Sequence, residues 1–296
     1  MKEALKKAEI LTEALHWIRE YRGKKVVIKY GGKAIMTDRA LKATVISDIV
    51  AMRLVGIKPV VVHGGGPEIS RSMKESGKKP RFVEGLRVTD EETMKIVKDV
   101  LVNTINAEIV GTMNKSGAIA QDSEIARGIS GDDGLILGEA KKRPEGLGFV
   151  GQVKQVGVKI LEETIEKGLI PVVVPLGVGR DGQTYNINAD QVAGEIAAAM
   201  NAVDPGNVNI VFLTDVDGLY EDFEDKSSLI SELGRQKCQE MIADNRISEG
   251  MIPKVEGCIT ALGGGVPYAH ILNGARKHAL LVEMFTDSGI GTMITR

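Results

Sequence analysis

Two short runs rich in β-branched residues, each ending in glycines, constrain this chain more than any other feature. The first is Val26-Val27-Ile28-Lys29-Tyr30, followed by Gly31-Gly32-Lys33. The second is Pro59-Val60-Val61-Val62-His63, followed by Gly64-Gly65-Gly66-Pro67. A continuous apolar run bounded by glycine reads as a strand buried on both faces, as in parallel sheets covered by helices. The glycines let backbone N–H groups approach an anion, and the helix start that follows favours negative charge. Two such turns predict two anionic groups held near each other, which suits a transfer between two anions. Neither turn matches the phosphate-loop pattern Gly-x-x-x-x-Gly-Lys-Ser/Thr or the dinucleotide fingerprint Gly-x-Gly-x-x-Gly. A single Gly-Gly after a strand is commonly structural. A second turn, with Lys29 and Lys33 beside the first, is what a phosphate site adds, so both readings stand.

Strands and helices alternate around these turns. Residues 25–30 predict a strand, about 38–55 a helix ended by Gly56, 59–63 a second strand, and 67–76 a helix with Pro67 at its first position. Residues 81–89 read as a hairpin around Gly85, and Thr89 or Asp90 caps a helix running to about Val110. Residues 114–158 are rich in glycine and charge, with an alternation at 149–156 that suggests antiparallel pairing. A helix at 159–168 leads to the apolar strand 170–175. After Gly177 come a helix at 190–200, a strand at 208–213, helices near 235–243 and 252–262, and a closing strand–helix–strand segment. This pattern predicts an α/β fold with one continuous, mostly parallel sheet, a boundary near 176, and ligands at the carboxyl edge of the strands. Residues 2–22 lack Gly and Pro and predict a helix with two apolar stripes. Ala4, Ala8, Leu11, Leu15 and Ile18 form one; Ile10, Ala14, Trp17 and Tyr21 form the other. Such a helix either packs on its own domain or seeks a partner.

Composition excludes several classes. A chain of 296 residues can bury one large core or two, and 43% hydrophobic with 26% charged residues is a globular balance. A net charge of −2 without a basic stripe argues against non-specific nucleic-acid binding, and 4% aromatics against a single-strand stacking platform. Cys238 and Cys258 cannot build a disulfide framework and lack zinc-ligand spacing, so buried packing in a reducing, cytoplasmic compartment is expected. No apolar run is long enough to span a bilayer, and the N-terminus carries no signal-peptide segment.

Three further segments carry chemistry. Asn186-Ile187-Asn188-Ala189-Asp190 precedes a helix, where Asp190 is either a cap or an acidic organiser of nearby cations. Thr214-Asp215-Val216-Asp217-Gly218-Leu219-Tyr220 follows a strand and is either a polar turn or a nucleotide-edge loop. Gly250-Met251-Ile252-Pro253-Lys254 opens a helix with a lysine in its first turn. That is the wrong end of the helix dipole for a cation unless an anion is present, so Lys254 reads as a phosphate ligand. His63 reads as structural.

Ile28-Lys29-Tyr30-Gly31-Gly32, Val62-His63-Gly64-Gly65-Gly66-Pro67, Gly85-Leu86-Arg87-Val88-Thr89, Asn186 to Asp190 and Gly250 to Lys254 stand in the order found in acetylglutamate kinases. From about Gly23 to its C-terminus the chain therefore resembles that branch of the amino-acid kinase family. The resemblance implies a three-layer αβα sandwich around an open, mainly parallel sheet, in two lobes, with an N-terminal extension helix. It divides the chain into an oligomerisation helix (1–22), an acyl-amino-acid lobe (23–176) and a nucleotide lobe (177–296). It implies ATP-dependent phosphorylation of the γ-carboxylate of N-acetyl-L-glutamate to an acyl phosphate, in arginine biosynthesis. Lys29 and Lys254 would stabilise the phosphoryl group in flight, with Asp190 holding both. Gly31 and Gly32 would offer N–H groups to the nucleotide phosphates, and Asp215, Gly218 and Tyr220 would line the nucleotide pocket. Gly65, Gly66, Arg87 and Asn186 would bind the acceptor. Mg²⁺ would be held by ATP oxygens and water, with no dedicated protein ligands. The acceptor carboxylate is ionised at neutral pH, its ordinary pKa being about 4.3, so no general base is required.

The resemblance extends to regulation. In arginine-inhibited members, N-terminal helices interlace dimers into a ring-shaped hexamer, and residues 2–22 fit that description. Tyr268 to Thr292 also resembles those forms, placing His270, Glu283 and Gly289 at an arginine site. Trp17 stands where those helices carry a tyrosine. Other readings are an acetylaminoadipate-type kinase, which needs room for one more methylene, and a non-catalytic amino-acid sensor on the same fold.

Overall fold

The computed structural model describes residues 2–32, 36–117, 124–142 and 144–296; Lys33 lies outside them. In chain order the elements are α1 (Lys2–Tyr21), β1 (Lys25–Tyr30), α2 (Arg39–Leu54), β2 (Lys58–His63), α3 (Gly66–Glu75), and the short strands β3 (Phe82–Val83) and β4 (Leu86–Arg87). Then follow α4 (Glu91–Lys98), a π-helical stretch (Asp99–Asn106) and α5 (Ala107–Gly117). Next are β5 (Ala126–Ile129), β6 (Ile136–Ala140), β7 (Gly151–Val156), α6 (Lys159–Glu166), β8 (Ile170–Val173), β9 (Leu176–Val178) and β10 (Thr184–Asn186). The chain closes with α7 (Ala189–Val203), β11 (Val208–Thr214), β12 (Glu232–Gly234), α8 (Arg235–Ala243), α9 (Ile252–Gly263), β13 (Tyr268–Asn273), α10 (Ala279–Phe285) and β14 (Thr292–Thr295).

The main sheet has eight strands in the order β12-β14-β13-β11-β1-β2-β8-β5. Its neighbours pair in parallel except β13 with β14. Alternate residues of β1 feed opposite cores, as the two-residue period of a strand requires. Val26, Ile28 and Tyr30 join one core with α2, α5 and α10, whereas Val27 joins the other with α6, α7 and α9. The result is a three-layer sandwich with helices on both faces.

One expectation needs correction. The sheet is not the whole β structure: β6, β7, β9 and β10 form a separate four-stranded sheet in the order β10-β9-β6-β7. β6–β7 and β9–β10 pair antiparallel. Strands of three residues interrupted by glycine, such as Leu176-Gly177-Val178, are too short to show a two-residue alternation. The 81–89 hairpin turns through Glu84 and Gly85, both at positive φ (49° and 73°), as a two-residue primed turn demands.

β1 lies between β11 and β2, and the chain leaves this centre toward opposite edges of the sheet. At such a switch point the connections diverge and leave a crevice beyond the carboxyl ends of the strands. Both glycine turns and the Asp215 loop emerge there.

Candidate functional site

The first turn is built around charge. Lys29, the penultimate residue of β1, is 7% exposed, and Asp190, in the first turn of α7, is 6% exposed. Lys29 Nζ lies 2.9 Å from Asp190 Oδ1, an ion pair that misses the hydrogen-bond direction. Lys254 Nζ, in the first turn of α9, lies 3.5 Å from Asp190 Oδ2 and donates to the Gly250 carbonyl at 3.0 Å. Asp190 is not the cap of its helix. Asn188 is, its Oδ1 accepting from the Asp190 N–H at 2.7 Å and the Gln191 N–H at 3.4 Å, which leaves the Asp190 carboxylate for the lysines. Burial pushes the Asp190 carboxyl up, but Lys29 and then Lys254 outweigh it and hold the group below the usual carboxylate range. Burial also pulls the Lys254 ammonium below its ordinary value, against the attraction of Asp190.

The glycines of this turn are required by their neighbours. A Cβ at Gly31 would collide with the Lys29 ammonium. Gly32 has φ 110°, and a Cβ there would come within 2.8 Å of Asp215 Oδ1. β1 and β11 pair in parallel, with Lys29 opposite Phe212, which brings the Asp215 loop to the first turn. Further along that loop, Asp217 accepts hydrogen bonds from Asn273 (2.9 Å), Arg276 (2.8 Å) and the Tyr220 hydroxyl (3.3 Å). The Arg276 pair, ahead of opposing burial, lowers the Asp217 carboxyl pKa. Gly218 is glycine because a Cβ would run into the Thr292 hydroxyl of β14.

The second turn faces a cavity of about 290 Å³ lined by Gly64, Gly65, Gly66, Arg87, Leu101, Asn186 and Asp190, with other residues. That is the small end of the range for ligand cavities, about 300–1,000 Å³. Arg87, on β4, is 8% exposed. Its guanidinium donates to the Gly66 carbonyl (2.9 Å) and the Ser70 hydroxyl (2.8 Å), touches Met73 Sδ at 3.2 Å and stacks 4.8 Å from the Phe82 ring centre. Among the described residues no carboxylate pairs with it. Burial lowers its pKa, yet an arginine stays cationic, so a buried fork without an anion sits on the cavity wall. Asn186, at the end of β10, donates to the Thr89 hydroxyl at 3.2 Å.

The structure thus brings Lys29, Lys254, Asp190, Gly31, Gly32 and Asp215 together, and Gly65, Gly66, Arg87 and Asn186 together. Asp190 belongs to both groups, pairing with the lysines while lining the cavity. Gly218 and Tyr220 sit further along the Asp215 loop. Sequence reading missed Ser70 and Met73, which seat Arg87. Their signal is their position one and two turns into the helix after the second glycine turn.

A second cluster lies where α1 meets α10. Ala14, Trp17, Ile18 and Tyr21 pack against the core, whereas Ile10, Leu11 and Leu15 are 53%, 65% and 63% exposed. The division does not follow the two apolar stripes: Ile18 of the first is packed, and Ile10 of the second is exposed. Trp17 Nε1 donates to Asp287 Oδ1 at 2.9 Å, and the Asp287 N–H donates to Glu13 at 3.0 Å. His270 Nδ1 lies 2.8 Å from Glu283 Oε1, and the Ile290 N–H donates to Glu283 Oε2 at 2.7 Å. Burial raises the Glu283 carboxyl, but His270 and the backbone donors bring it below its ordinary value. A Cβ at Gly289 would crowd Glu283 Oε2 at 3.2 Å. His270, Glu283 and Gly289 are thus gathered, with Trp17 at their edge.

Comparison with known proteins follows the same lines. The model of the amino acid kinase family matches residues 24–273. An acetylglutamate kinase of Caldanaerobacter subterraneus subsp. tengcongensis is 49% identical, over 97% of this chain and 93% of that protein. One of Thermoanaerobacter pseudethanolicus is 47% identical, over 99% of this chain and 94% of that one. Among solved structures, N-acetylglutamate synthase of Neisseria gonorrhoeae, complexed with coenzyme A and L-arginine, superposes with a TM-score of 0.83 at 25% identity. The match covers 97% of this chain but only 65% of the synthase, which is the longer protein.

Proposed function

The chain belongs to the amino acid kinase family and, within it, to the acetylglutamate kinases, phosphotransferases with a carboxyl acceptor; on that premise we propose how its residues carry the transfer. The reaction moves the γ-phosphoryl group of ATP to the γ-carboxylate of N-acetyl-L-glutamate, a step of arginine biosynthesis. The observation that carries this reading is Asp190, buried, paired with both Lys29 and Lys254, and lining the cavity that holds Arg87.

The acceptor carboxylate is already ionised, so nothing needs to remove a proton. What the site supplies is alignment and neutralisation of charge, the main requirements of phosphoryl transfer. Lys29 and Lys254 approach the transferred group from two elements, and Asp190 fixes both ammonium groups at once. Gly31 and Gly32 let the nucleotide phosphates reach the backbone, and the Asp215–Tyr220 loop borders the nucleotide. Arg87 takes the acceptor's α-carboxylate, and Gly65, Gly66 and Asn186 hold the rest. The two oxygens of Asp190 are occupied by lysines, and among the described residues no cluster of acidic, His or Cys side chains offers a metal cage. Mg²⁺ would enter as part of the nucleotide substrate, held by phosphate and water. The division of labour follows an acceptor lobe (23–176) and a nucleotide lobe (177–296). No helix of the described residues is long and apolar enough to cross a membrane, and the buried free thiols of Cys238 and Cys258 support a cytoplasmic setting.

Trapping the acyl phosphate with hydroxylamine tests the reading. ATP, Mg²⁺ and N-acetyl-L-glutamate should yield hydroxamate, with less from acetylaminoadipate. No hydroxamate from either acceptor would sink it.

L-arginine feedback and hexamer formation complete the proposal. The His270–Glu283 pair next to Gly289 supplies a carboxylate for a guanidinium, and α1 docks beside it through Trp17. The exposed side chains of Ile10, Leu11 and Leu15 suit a second copy of the helix in a trimer of dimers. The synthase structure with L-arginine supports arginine binding on this fold. Deleting residues 1–22 should leave active dimers with weakened inhibition. A truncated protein that stays hexameric by light scattering counts against it.

A further inference from the structure

His63 ends β2, directly opposite Tyr30 of β1 in the sheet register, and is fully buried. Both of its ring nitrogens are used. Nδ1 lies 2.9 Å from the Gly64 carbonyl, which only accepts, so Nδ1 carries the proton. Nε2 therefore accepts, and the amide of Asn106 stands 3.2 Å away with Nδ2 as donor. The same Nδ2 donates to the Val172 carbonyl of β8 at 2.9 Å. On its other side the Gly64 N–H donates to the Tyr30 carbonyl at 3.0 Å. Both polar groups of Gly64 are thus fixed, which sets the direction in which Gly65 and Gly66 leave the strand.

Asn106, which reaches His63, is the last residue of an irregularity in its helix. Residues Asp99–Asn106 are π-helical. In a π-turn the backbone hydrogen bond joins residues i and i+5, so each turn holds more residues than in an α-helix. The wider turn brings Asn106 nearer the face of Leu101 than the separation of about 140° in an α-helix. Leu101 and Ile105 press on the same turn from below: a Cβ at Gly65 would come within 2.6 and 2.7 Å of their methyl carbons. One helical stretch thus packs against Gly65 and anchors His63.

We propose that His63 and Asn106 are positioning residues for the acceptor, acting as one hydrogen-bonded unit that the π-helical stretch holds under the Gly64-Gly65-Gly66 turn. Neither needs to touch substrate; they orient the backbone that does. The inference rests on the reading above that this turn binds the acyl amino acid. A neutral imidazole is part of the device, because a proton on Nε2 would set two donors face to face. Burial keeps it neutral, pushing the His63 pKa down to about 4.

Steady-state kinetics of two single variants and their combination test the unit. His63→Gln can keep an acceptor for Asn106 but loses the Nδ1 donor to Gly64. Asn106→Leu keeps the volume and loses the donor to His63. Each should raise the KM for N-acetyl-L-glutamate at least tenfold and leave the KM for ATP within about twofold. The double variant should be no worse than the worse single one, as for groups that act together. His63→Asn, which retains a donor at the δ position, should recover part of the loss. Unchanged KM values with only a lower melting temperature, or an equal rise in both KM values, would overturn the proposal. For variants that do not fold, ¹⁵N-imidazole spectra of the wild-type protein decide. An Nδ1–H tautomer whose Nε2 signal moves when N-acetyl-L-glutamate is added supports the unit, and an Nε2–H tautomer or an unmoved signal ends it. A wild-type protein that makes no hydroxamate refutes the functional reading itself. An active wild type with indifferent variants refutes only the positioning.

Discussion

The two glycine turns look alike in sequence and open on the same side of the sheet, yet they need glycine for opposite reasons. In the Gly31-Gly32 turn, charged side chains fold back over the backbone. The Lys29 ammonium lies over Gly31, and the Asp215 carboxylate over Gly32, whose φ of 110° disfavours any side chain. In the second turn, apolar groups press on Gly65 from the core, while among the described residues nothing lies within 4 Å of a Cβ built at Gly64 or Gly66. The first turn has filled its space with its own charges; the second has kept space that a ligand can take. Glycine therefore marks an electrostatic site in one place and a binding surface in the other.

That contrast can be attacked from both sides. The largest effect belongs to Lys29→Ala, which removes a buried cation from the reacting group. Turnover should fall about 10³-fold, on the order of 4 kcal/mol, with the acceptor KM within about threefold. Normal turnover would mean that the first turn is not the electrostatic one. Next comes Gly32→Ala, which strains the backbone by about 1–2 kcal/mol and crowds Asp215. We expect about a 10²-fold loss in kcat/KM for ATP, while calorimetry shows acceptor affinity nearly unchanged. The second turn divides internally. Gly65→Ala should destabilise the fold by about 1–3 kcal/mol through overpacking and raise the acceptor KM roughly tenfold. Gly66→Ala should leave stability within about 0.5 kcal/mol and still raise the acceptor KM, because only the ligand objects. Equal thermal shifts in the two variants would erase the distinction.

A separate effect, confined to acid conditions, is in the pH dependence of stability. His63 has an ordinary pKa near 6.5 and is pushed down to about 4 by burial in the fold. Between those values the unfolded chain binds a proton that the folded one refuses, so stability falls as the pH drops from about 6.5 toward 4 and is unaffected above. At pH 5 the penalty is about 2 kcal/mol. His63→Gln should flatten this part of the profile, read as the difference in urea midpoint between pH 7 and pH 5. An equally steep profile in the variant would show that other groups carry the acid sensitivity.

Much of this was legible beforehand, for identifiable reasons. The buried strands β1, β2 and β11 are long apolar runs, and their helices carry caps or a leading proline that local chemistry explains. Lys254 stood out because a cation in the first turn of a helix opposes the dipole unless something negative is near, and Asp190 lies 3.5 Å away. The small four-stranded sheet was only half hidden: β9 and β10, of three residues each, have no period to detect, whereas the alternation at 149–156 marked β7. Asp190 was ambiguous between cap and organiser until Asn188 was seen to cap the helix. The π-helical stretch was also invisible: its residues repeat apolar spacing much as an α-helix does, and the extra backbone residue per turn leaves no mark on composition.

The sequence by itself determined which residues could carry charge, where backbone could come close to an anion, and which segments had to be buried. These are local properties of side-chain type and spacing. Only the tertiary structure decided that Asp190 pairs with Lys29 and Lys254, that among the described residues Arg87 pairs with no carboxylate, and that His63 locks Gly64 from beneath. The reason is physical. Pairing energies depend on distance and dielectric through space, and a parallel sheet brings the ends of strands from distant parts of the chain within a few ångströms of one another.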